Sequence, residues 1–315
     1  MSDHEPSVAA IGEFALIARA TAGRTWPASV SIGPGDDAAV VDAPDGRVVV
    51  TTDMLVEGRH FRFDWSDHHD VGRKAIAQNA ADIAAMGARC TGFLVSMSCP
   101  SDTAVADLDR LTDGLWQEAG RVGASIVGGD VTGGERLVLS ITALGDLEGR
   151  SAVVRSGARV GDVLALSGVV GQSAAGLASY RAGNGDFPDL RAAHRVPTAD
   201  PADGPLAARA GASAMCDVSD GVVGDAAHLA SASAVRLDIR SEAMPVTDEM
   251  RRAATVLGKD AVEWALSGGE DHVLLATFAP GDVPASWHVI GSVHAGSGVT
   301  VDGETWKGSS AWTSF

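Results

Sequence analysis

The chain has 315 residues, of which 45% are hydrophobic and 21% are charged, and its formal net charge is −17. This balance is typical of a globular protein, and the length predicts two domains. A strongly acidic chain without a lysine- or arginine-rich block lacks the electrostatic attraction that nucleic acids and anionic membranes require, which argues against both as partners.

The first half alternates predicted helices and strands. In chain order the patterns predict a helix over 13–22, a hairpin of strands 38–41 and 48–52, a helix over 71–86, a strand over 93–98, a helix over 103–122, and strands over 125–127 and 137–144. The turn signature Ala43-Pro44-Asp45-Gly46 is the reason for the hairpin. The helix over 71–86 carries Asn79 and Asp82 three residues apart, which places both on nearly the same face.

The second half repeats this mixture. It predicts strands over 163–166, 214–216, 236–239 and 273–278, and helices over 173–181, 202–210, from 222 onward and over 261–265. Glycine, arginine and serine are abundant in 145–161, which is typical of a seam between domains. We therefore predict an N-terminal domain over 1–148 and a C-terminal domain over 149–315, both of mixed α/β (α+β) class.

Aspartate recurs beside glycine, serine or threonine where predicted strands begin or end, and once inside a helix. The segments are Gly35-Asp36-Asp37-Ala38, Thr51-Thr52-Asp53, Asp82 with its helix, Gly128-Gly129-Asp130, and Asp217-Val218-Ser219-Asp220-Gly221. Any one of them can be a turn or a helix cap. Asp82 is neither, since it lies inside an alanine-rich helix, and if buried it needs a cation or strong donors.

Converging carboxylates predict a magnesium site. Mg²⁺ prefers oxygen ligands and commonly bridges carboxylates to substrate phosphates. Zinc is disfavoured because no set of histidines and cysteines has suitable spacing. The sequence contains neither a P-loop, nor a complete Rossmann fingerprint, nor the protein-kinase motifs, so these routes to ATP are closed.

Seven segments, taken in order, resemble thiamine-monophosphate kinases, in a superfamily that includes aminoimidazole ribonucleotide (AIR) synthetase and selenophosphate synthetase. They are 35–38, 51–61, 80–87, 128–130, 155–158, 217–221 and 267–271, and Val56-Glu57-Gly58-Arg59-His60-Phe61 is the most diagnostic. The chain departs from the family at His272, where tyrosine is usual, and in its tail.

The resemblance implies a two-domain fold like that of AIR synthetase, in a homodimer whose N-terminal halves pair through β-sheet. ATP and several Mg²⁺ ions are expected in a cleft between the domains. The implied site residues are Asp37, Thr51, Thr52, Asp53, Asp82, Asp130, Asp217 and Asp220 for metal, Gly129, Asp130, Arg155 and Ser219 for ATP, and His60, Glu270 and Trp312 for the thiamine phosphate. Trp306 is the alternative to Trp312.

The implied reaction is direct in-line transfer of the γ-phosphoryl group of ATP to thiamine monophosphate. The acceptor phosphate is already ionised at neutral pH, so no residue is predicted to act as a general base. Two alternatives stay open, an enzyme like AIR synthetase and a non-catalytic protein that binds magnesium and nucleotide. Selenophosphate synthesis is disfavoured because the first cysteine is Cys90, and a hydrogenase-maturation role because the chain ends in Phe315.

The cysteines, the first residues and the apolar segments of the chain predict its cellular location. Three cysteines without a C-x-x-C pair fit a reducing compartment. The first residues are polar and acidic, unlike a secretory signal, and no uncharged apolar run reaches the roughly 18 residues of a membrane span. We therefore expect a cytoplasmic protein.

Overall fold

The computed structural model describes residues 7–11, 13–33 and 39–307. The chain separates into two compact units: the N-terminal unit comprises Met1–Ala80 and Cys90–Gly149, and the C-terminal unit comprises Ala81–Arg89 and Arg150–Phe315. The second unit thus includes a short segment from the first half of the sequence. The domain boundary predicted after residue 148 stays a prediction.

The N-terminal unit combines a four-stranded sheet with long helices. Its described elements are α1 (Val8–Ile11), α2 (Glu13–Thr21), β1 (Val30–Ile32), β2 (Val40–Val41), β3 (Val49–Val56), α3 (His68–Ala85), β4 (Arg89–Cys99), α4 (Val105–Arg121), β5 (Ile126–Gly133) and β6 (Val138–Asp146). The strand order in the sheet is β3-β6-β4-β5. The last residues of α3 and the first residue of β4 belong to the C-terminal unit.

Helices α3 and α4 approach each other so closely that glycine is required at the contact. A Cβ atom at Gly72 would lie 2.2 Å from the carbonyl oxygen of Leu111, and one at Gly114 would lie 2.1 Å from that of His69. Real side chains do not tolerate such distances. The two glycines therefore let the helix backbones pack directly against each other.

The predicted hairpin of strands 38–41 and 48–52 is wrong. Strand β2 pairs with β1, whereas β3 forms eight antiparallel residue pairs with β6. The turn itself forms, since the amide of Gly46 donates to the carbonyl of Ala43 at 2.9 Å. A turn signature predicts that the chain reverses, but β3 gains many more backbone hydrogen bonds from the long strand β6 than from the two residues of β2.

The C-terminal unit is built around a larger, mainly antiparallel sheet. Its described elements are β7 (Val163–Leu166), α5 (Gln172–Arg181), α6 (Pro188–Arg195), α7 (Asp203–Arg209), β8 (Ala214–Asp217), α8 (Val222–Ser233), β9 (Arg236–Ile239), a 3₁₀ turn (Ser241–Ala243), α9 (Asp248–Leu257), α10 (Ala261–Ser267), β10 (Leu274–Phe278), β11 (His288–His294), β12 (Gly298–Val301) and β13 (Glu304–Thr305). The order is β13-β12-β9-β11-β7-β10-β8.

Buried apolar residues fill both faces of this sheet. Leu164, Leu166 and Leu275 contribute to one core cluster, and Ala165 and Phe278 to another. The buried strands β7, β8 and β10 leave polar groups only at their ends, which is where site residues collect. In the described ranges, no helix combines the length and apolar character needed to cross a membrane.

Candidate active site

The first group of predicted site residues lies at the junction of β3 and α3. The amide of Asp53 donates to the side-chain oxygen of Asn79 at 3.0 Å, and the Asp53 carboxylate accepts from the Gln78 amide at 3.3 Å. Asn79 is fully buried and Gln78 nearly so. Two side chains of the helix therefore orient the strand residue, and the Asp53 carboxylate keeps an exposed surface. Thr52 instead donates its hydroxyl to the Ile141 carbonyl at 2.9 Å.

The turn after β3 fixes the imidazole of His60. The amide of Val56 donates to Nδ1 of His60 at 3.0 Å, so in a neutral ring the proton lies on Nε2. The ammonium group of Lys74, a residue only 2% exposed, donates to the His60 carbonyl at 3.1 Å. Gly58 has a φ of 81° and donates to the Phe61 carbonyl, which closes the turn. His60 is therefore set up to donate a hydrogen bond through Nε2.

Gly129 and Asp130 lie on β5, at the opposite edge of the same sheet. Asp130 is exposed and pairs with Ser96 of β4. A Cβ atom at Gly129 would lie 2.0 Å from the Val95 carbonyl oxygen, so no other residue fits there. Strands β6 and β4 separate Asp130 from Asp53. At a strand spacing of about 4.8 Å, the two carboxylates of one chain are too far apart to share an ion directly.

In the C-terminal unit, two loops predicted separately lie side by side. The amide of Glu270 donates to the Ser219 carbonyl at 2.9 Å, and that of His272 donates to the Val218 carbonyl at the same distance. A Cβ atom at Gly269 would lie 2.3 Å from the Ser219 carbonyl oxygen. The loop 217–221 and the loop 267–272 thus lie against each other and bring Asp217, Ser219, Asp220 and Glu270 into one part of the C-terminal unit.

Asp217 is buried at the end of β8, where Nδ1 of His272 lies 3.0 Å from one of its carboxylate oxygens. Burial acts to lower the pKa of His272, but the hydrogen bond and negative charge of Asp217 outweigh it and hold that pKa above its usual value. The charges of Glu270 and Asp82 act in the same direction. Asp82 is half-buried and belongs to this unit.

A third carboxylate, that of Asp225, lies beneath the loop. It accepts the amide hydrogen of Asp220 at 3.0 Å, and ligand atoms of Asp220, Asp225 and His228 all lie within 4.8 Å of one another. Burial raises the pKa of Asp225 to about 7, and the negative charge of Asp217 adds to the effect. Burial also raises the pKa of Asp220, against the opposing charge of His228.

This donor set fits a hard divalent cation. Asp220 and Asp225 of this group offer oxygen ligands, the type that Mg²⁺ prefers, and the carboxylate of Asp217 lies near enough for its charge to raise the pKa of both. Burial is the main cause of the raised pKa values of Asp220 and Asp225, and the neighbouring carboxylate of Asp217 adds to it. Carboxylates in such a site take up protons unless a cation compensates their charge.

Glu270 and Arg155 lie around this group. The Glu270 carboxylate is 3.6 Å from Nδ1 of His194, and the same nitrogen is 3.0 Å from the hydroxyl of Ser173. Arg155 is exposed, and its positive charge acts to lower the pKa of Asp220. The Ser233 hydroxyl donates to the Arg155 carbonyl at 2.9 Å, which fixes the backbone from which the guanidinium extends.

A family model described as AIR synthase related protein, N-terminal domain, matches residues 35–147. The thiamine-monophosphate kinase of Mycobacterium tuberculosis (strain ATCC 25618 / H37Rv) is 53% identical over 317 residues, covering 100% of this chain and 95% of that protein. The chain belongs to the thiamine-monophosphate kinase family. The family predicted from the seven sequence segments is confirmed. At the level of the family, the alternative that the chain is an AIR synthetase is excluded.

Further thiamine-monophosphate kinases match over nearly the whole chain. The enzyme of Corynebacterium glutamicum is 44% identical over 322 residues, covering 98% of this chain and 95% of that protein. The solved structure of AaThiL complexed with AMPPCP and TMP is 32% identical, with a TM-score of 0.81 and coverage of 97% of both chains. The predicted mixed α/β fold, resembling that of AIR synthetase, is confirmed.

Some residues that the thiamine-monophosphate kinase resemblance implied cannot be placed in this geometry. Asp37 and Trp312 lie outside the described residues. Trp306 is described and packs, partly buried, against the core of the C-terminal unit. The roles of all predicted site residues stay predictions.

Sequence reasoning missed several residues that shape these groups. Asn79 was identified together with Asp82, but Gln78 beside it is also a buried polar residue of that helix. Asp225 is a buried carboxylate inside another predicted helix, so the reasoning applied to Asp82 covers both missed residues. His272 was noted only as a departure from the family. Its contact with Asp217 spans 55 residues, and no local pattern signals it.

Proposed function

We propose that this chain transfers the γ-phosphoryl group of ATP to thiamine monophosphate, producing ADP and thiamine diphosphate. The observation that carries the proposal is the match, over 97% of both chains, to a thiamine-monophosphate kinase structure complexed with AMPPCP, an ATP analogue, and TMP. The 53% identity to the M. tuberculosis kinase supports the same reaction.

Magnesium is proposed to be held by oxygen atoms of the residues that the family resemblance implied. The proposed ligands in the described residues are Thr51, Thr52, Asp53 and Asp130 of the N-terminal unit, and Asp82, Asp217 and Asp220 of the C-terminal unit. When bound, Mg²⁺ offsets the negative charge of the two phosphate partners, which a chain of net charge −17 would otherwise repel. Gln78 and Asn79 hold Asp53 for this role.

The nucleotide is proposed to contact Gly129, Asp130, Arg155 and Ser219. Gly129 and Asp130 are both exposed on β5. Arg155 presents a planar guanidinium suited to phosphate oxygens. Its exposure and its backbone support are consistent with that use.

His60 and Glu270 are proposed to bind the acceptor. Nδ1 of His60 already accepts the amide hydrogen of Val56, so the ring offers a donor at Nε2 for a phosphate oxygen. This supports a positioning role over proton abstraction, in agreement with an acceptor whose second pKa of roughly 6 leaves it ionised at neutral pH. Glu270 offers a carboxylate to the cationic part of the thiamine molecule.

A homodimer is proposed on the exposed face of the N-terminal sheet. Val50 and Met54 are four residues apart on β3, so their side chains lie on one face of the sheet. They are 63% and 53% exposed. Leu94 of β4 is also exposed. An apolar sheet face of this kind is the feature that pairing with a second copy would cover. Sedimentation of Met54→Lys alongside the unaltered protein tests it, and unchanged dimer content in the variant would contradict this interface.

A cytoplasmic location is part of the proposal. Cys90, Cys99 and Cys216 are buried, and none of these three residues forms a disulfide. Burial raises the pKa of Cys99 and of Cys216, which makes these thiols poor nucleophiles. Structural thiols of this type suit a reducing compartment.

The test is a product measurement. Purified protein with ATP, Mg²⁺ and thiamine monophosphate should form ADP and thiamine diphosphate in equal amounts, and chelation of Mg²⁺ should stop both reversibly. ADP formation without thiamine diphosphate would refute the proposed acceptor. Nucleotide binding without any turnover would favour the non-catalytic alternative.

A further inference from the structure

His272 occupies an unusual backbone position beside the proposed cation site. Its φ is 56°, and that of Glu270, two residues earlier, is 66°. Few residues other than glycine adopt this left-handed conformation, and those that do are held by their surroundings. The amides of Glu270 and His272 both donate to the neighbouring 217–221 loop.

Asp271, between the two left-handed residues, anchors the loop from its other side. Its carboxylate accepts the amide hydrogens of Gly171 and Ser173 at 2.6 and 3.0 Å, at the start of α5. The loop is thus fixed through alternate residues to two different elements. The result is that the His272 ring points at Asp217 from a backbone with little freedom to move.

The donor and the acceptor in the contact between His272 and Asp217 can be assigned. An ionised carboxylate only accepts hydrogen bonds, so Nδ1 of His272 is the donor to Oδ2 of Asp217. Both side chains are less than 10% exposed. This bond occupies one carboxylate oxygen and leaves the other for a ligand. Groups around a metal ligand commonly act in this way, by fixing its orientation.

We propose that His272 is a positioning residue, which orients the carboxylate of Asp217 towards a bound divalent cation by donating from Nδ1. The proposal rests on the proposed function, because it assumes that Asp217 is a metal ligand. The proposal adds that His272 contributes to the affinity for the cation through one hydrogen bond, and not through the volume of its ring.

Two substitutions separate the hydrogen bond from the volume. His272→Asn keeps a side-chain N–H near the position of Nδ1 and tolerates the left-handed backbone, but it loses ring volume. His272→Phe keeps the volume and loses the donor. His288 is exposed on β11, and His288→Phe is the matched control.

The measurement is the affinity of the whole chain for Mn²⁺ alone, followed by the electron paramagnetic resonance of the free ion. His272→Phe should weaken binding by about 10-fold or more, the range found when groups behind metal ligands are removed. His272→Asn should stay close to the unaltered protein, and so should His288→Phe. The Mg²⁺ concentration for half-maximal turnover should shift in the same order. Urea unfolding of each variant checks that the fold persists.

Three results would overturn the inference. They are normal Mn²⁺ affinity in His272→Phe, equal loss in His272→Asn and His272→Phe, or a loss in His272→Phe that persists undiminished when Asp217→Asn is already present. Asp217→Asn alone distinguishes this inference from the proposed function. Unchanged Mn²⁺ affinity in Asp217→Asn would remove Asp217 from the proposed ligands, whereas weakened affinity there with normal affinity in His272→Phe refutes only the role of His272.

Discussion

Asp271 should give the stability of the C-terminal unit a measurable dependence on pH. Its carboxyl group is buried, and burial raises its pKa from 3.8 to about 6, although the amides of Ser173 and Gly171 favour the ionised form. Below pH 4 the group is protonated in both the folded and the unfolded chain. As the pH rises, the unfolded chain releases its proton first, so the free energy of unfolding falls until the folded form also ionises.

The size of this effect follows from the two pKa values. A difference of about two pH units corresponds to about 3 kcal/mol in total, of which about 2 kcal/mol is lost between pH 4 and pH 7, and about 1 kcal/mol between pH 5 and pH 8. In Asp271→Asn this titration is absent, while the amide oxygen can still accept one backbone hydrogen bond. The variant should therefore gain about 1 kcal/mol relative to the unaltered protein between pH 5 and pH 8.

Urea unfolding at the two pH values, followed by circular dichroism and tryptophan fluorescence, measures this difference. Asp302→Asn is a control that should not respond. The pKa of Asp302 is lowered by hydrogen bonds from Ser241, so this carboxyl is ionised in both the folded and the unfolded chain at pH 5 and at pH 8, and the variant should show no relative change in stability between them. If Asp271→Asn shows no relative gain at pH 8, the backbone amides compensate burial fully and the reasoning fails.

Asp53→Asn should lower kcat by roughly 100-fold or more with an unchanged circular dichroism spectrum, because a negative charge proposed to hold Mg²⁺ is lost; steady-state ADP formation near the normal rate at saturating Mg²⁺ would contradict this. His60→Ala should raise the KM for thiamine monophosphate about 10-fold with little change in kcat, and a lower kcat with a new pH profile would instead indicate acid–base chemistry. Gly72→Ala should lower the free energy of unfolding by about 1–3 kcal/mol, since its Cβ would lie 2.2 Å from the Leu111 carbonyl. Gly120→Ala, with open space around its Cβ, should show no such loss in the same urea titration.

Elements with strong local signals could be predicted from the sequence. The strands over 163–166 and 236–239 coincide with β7 and β9, and the helix over 71–86 corresponds to α3, which begins three residues earlier. Their apolar periodicity reflects burial in a core, which a short window of sequence records. The strand with which a given strand pairs depends on residues far away in the sequence. The predicted pairing of Val40–Val41 with the following strand was therefore wrong.

The candidate site, too, could be predicted only in part. Asp217 at the end of β8 could be located because a polar residue after an apolar strand is visible locally, whereas Asp53, expected at the end of a strand, lies inside β3. The proximity of Asp217 to His272 depends on β8 pairing with β10, and the separation of Asp53 from Asp130 depends on sheet order. Neither the proximity nor the separation can be predicted from the neighbouring residues, since both arise from tertiary packing.

The path of helix α3 limits how this protein can be divided into fragments. Residues 81–89 are assigned to the C-terminal unit, where Ala84 and Ala85 complete a core cluster with Phe278. Gly204 approaches the Ala84 carbonyl so closely that a Cβ there would lie 2.1 Å away. Expression of a fragment starting at Arg150 would therefore leave an open apolar groove, and a synthetic peptide spanning 81–89 is the piece that should fill it.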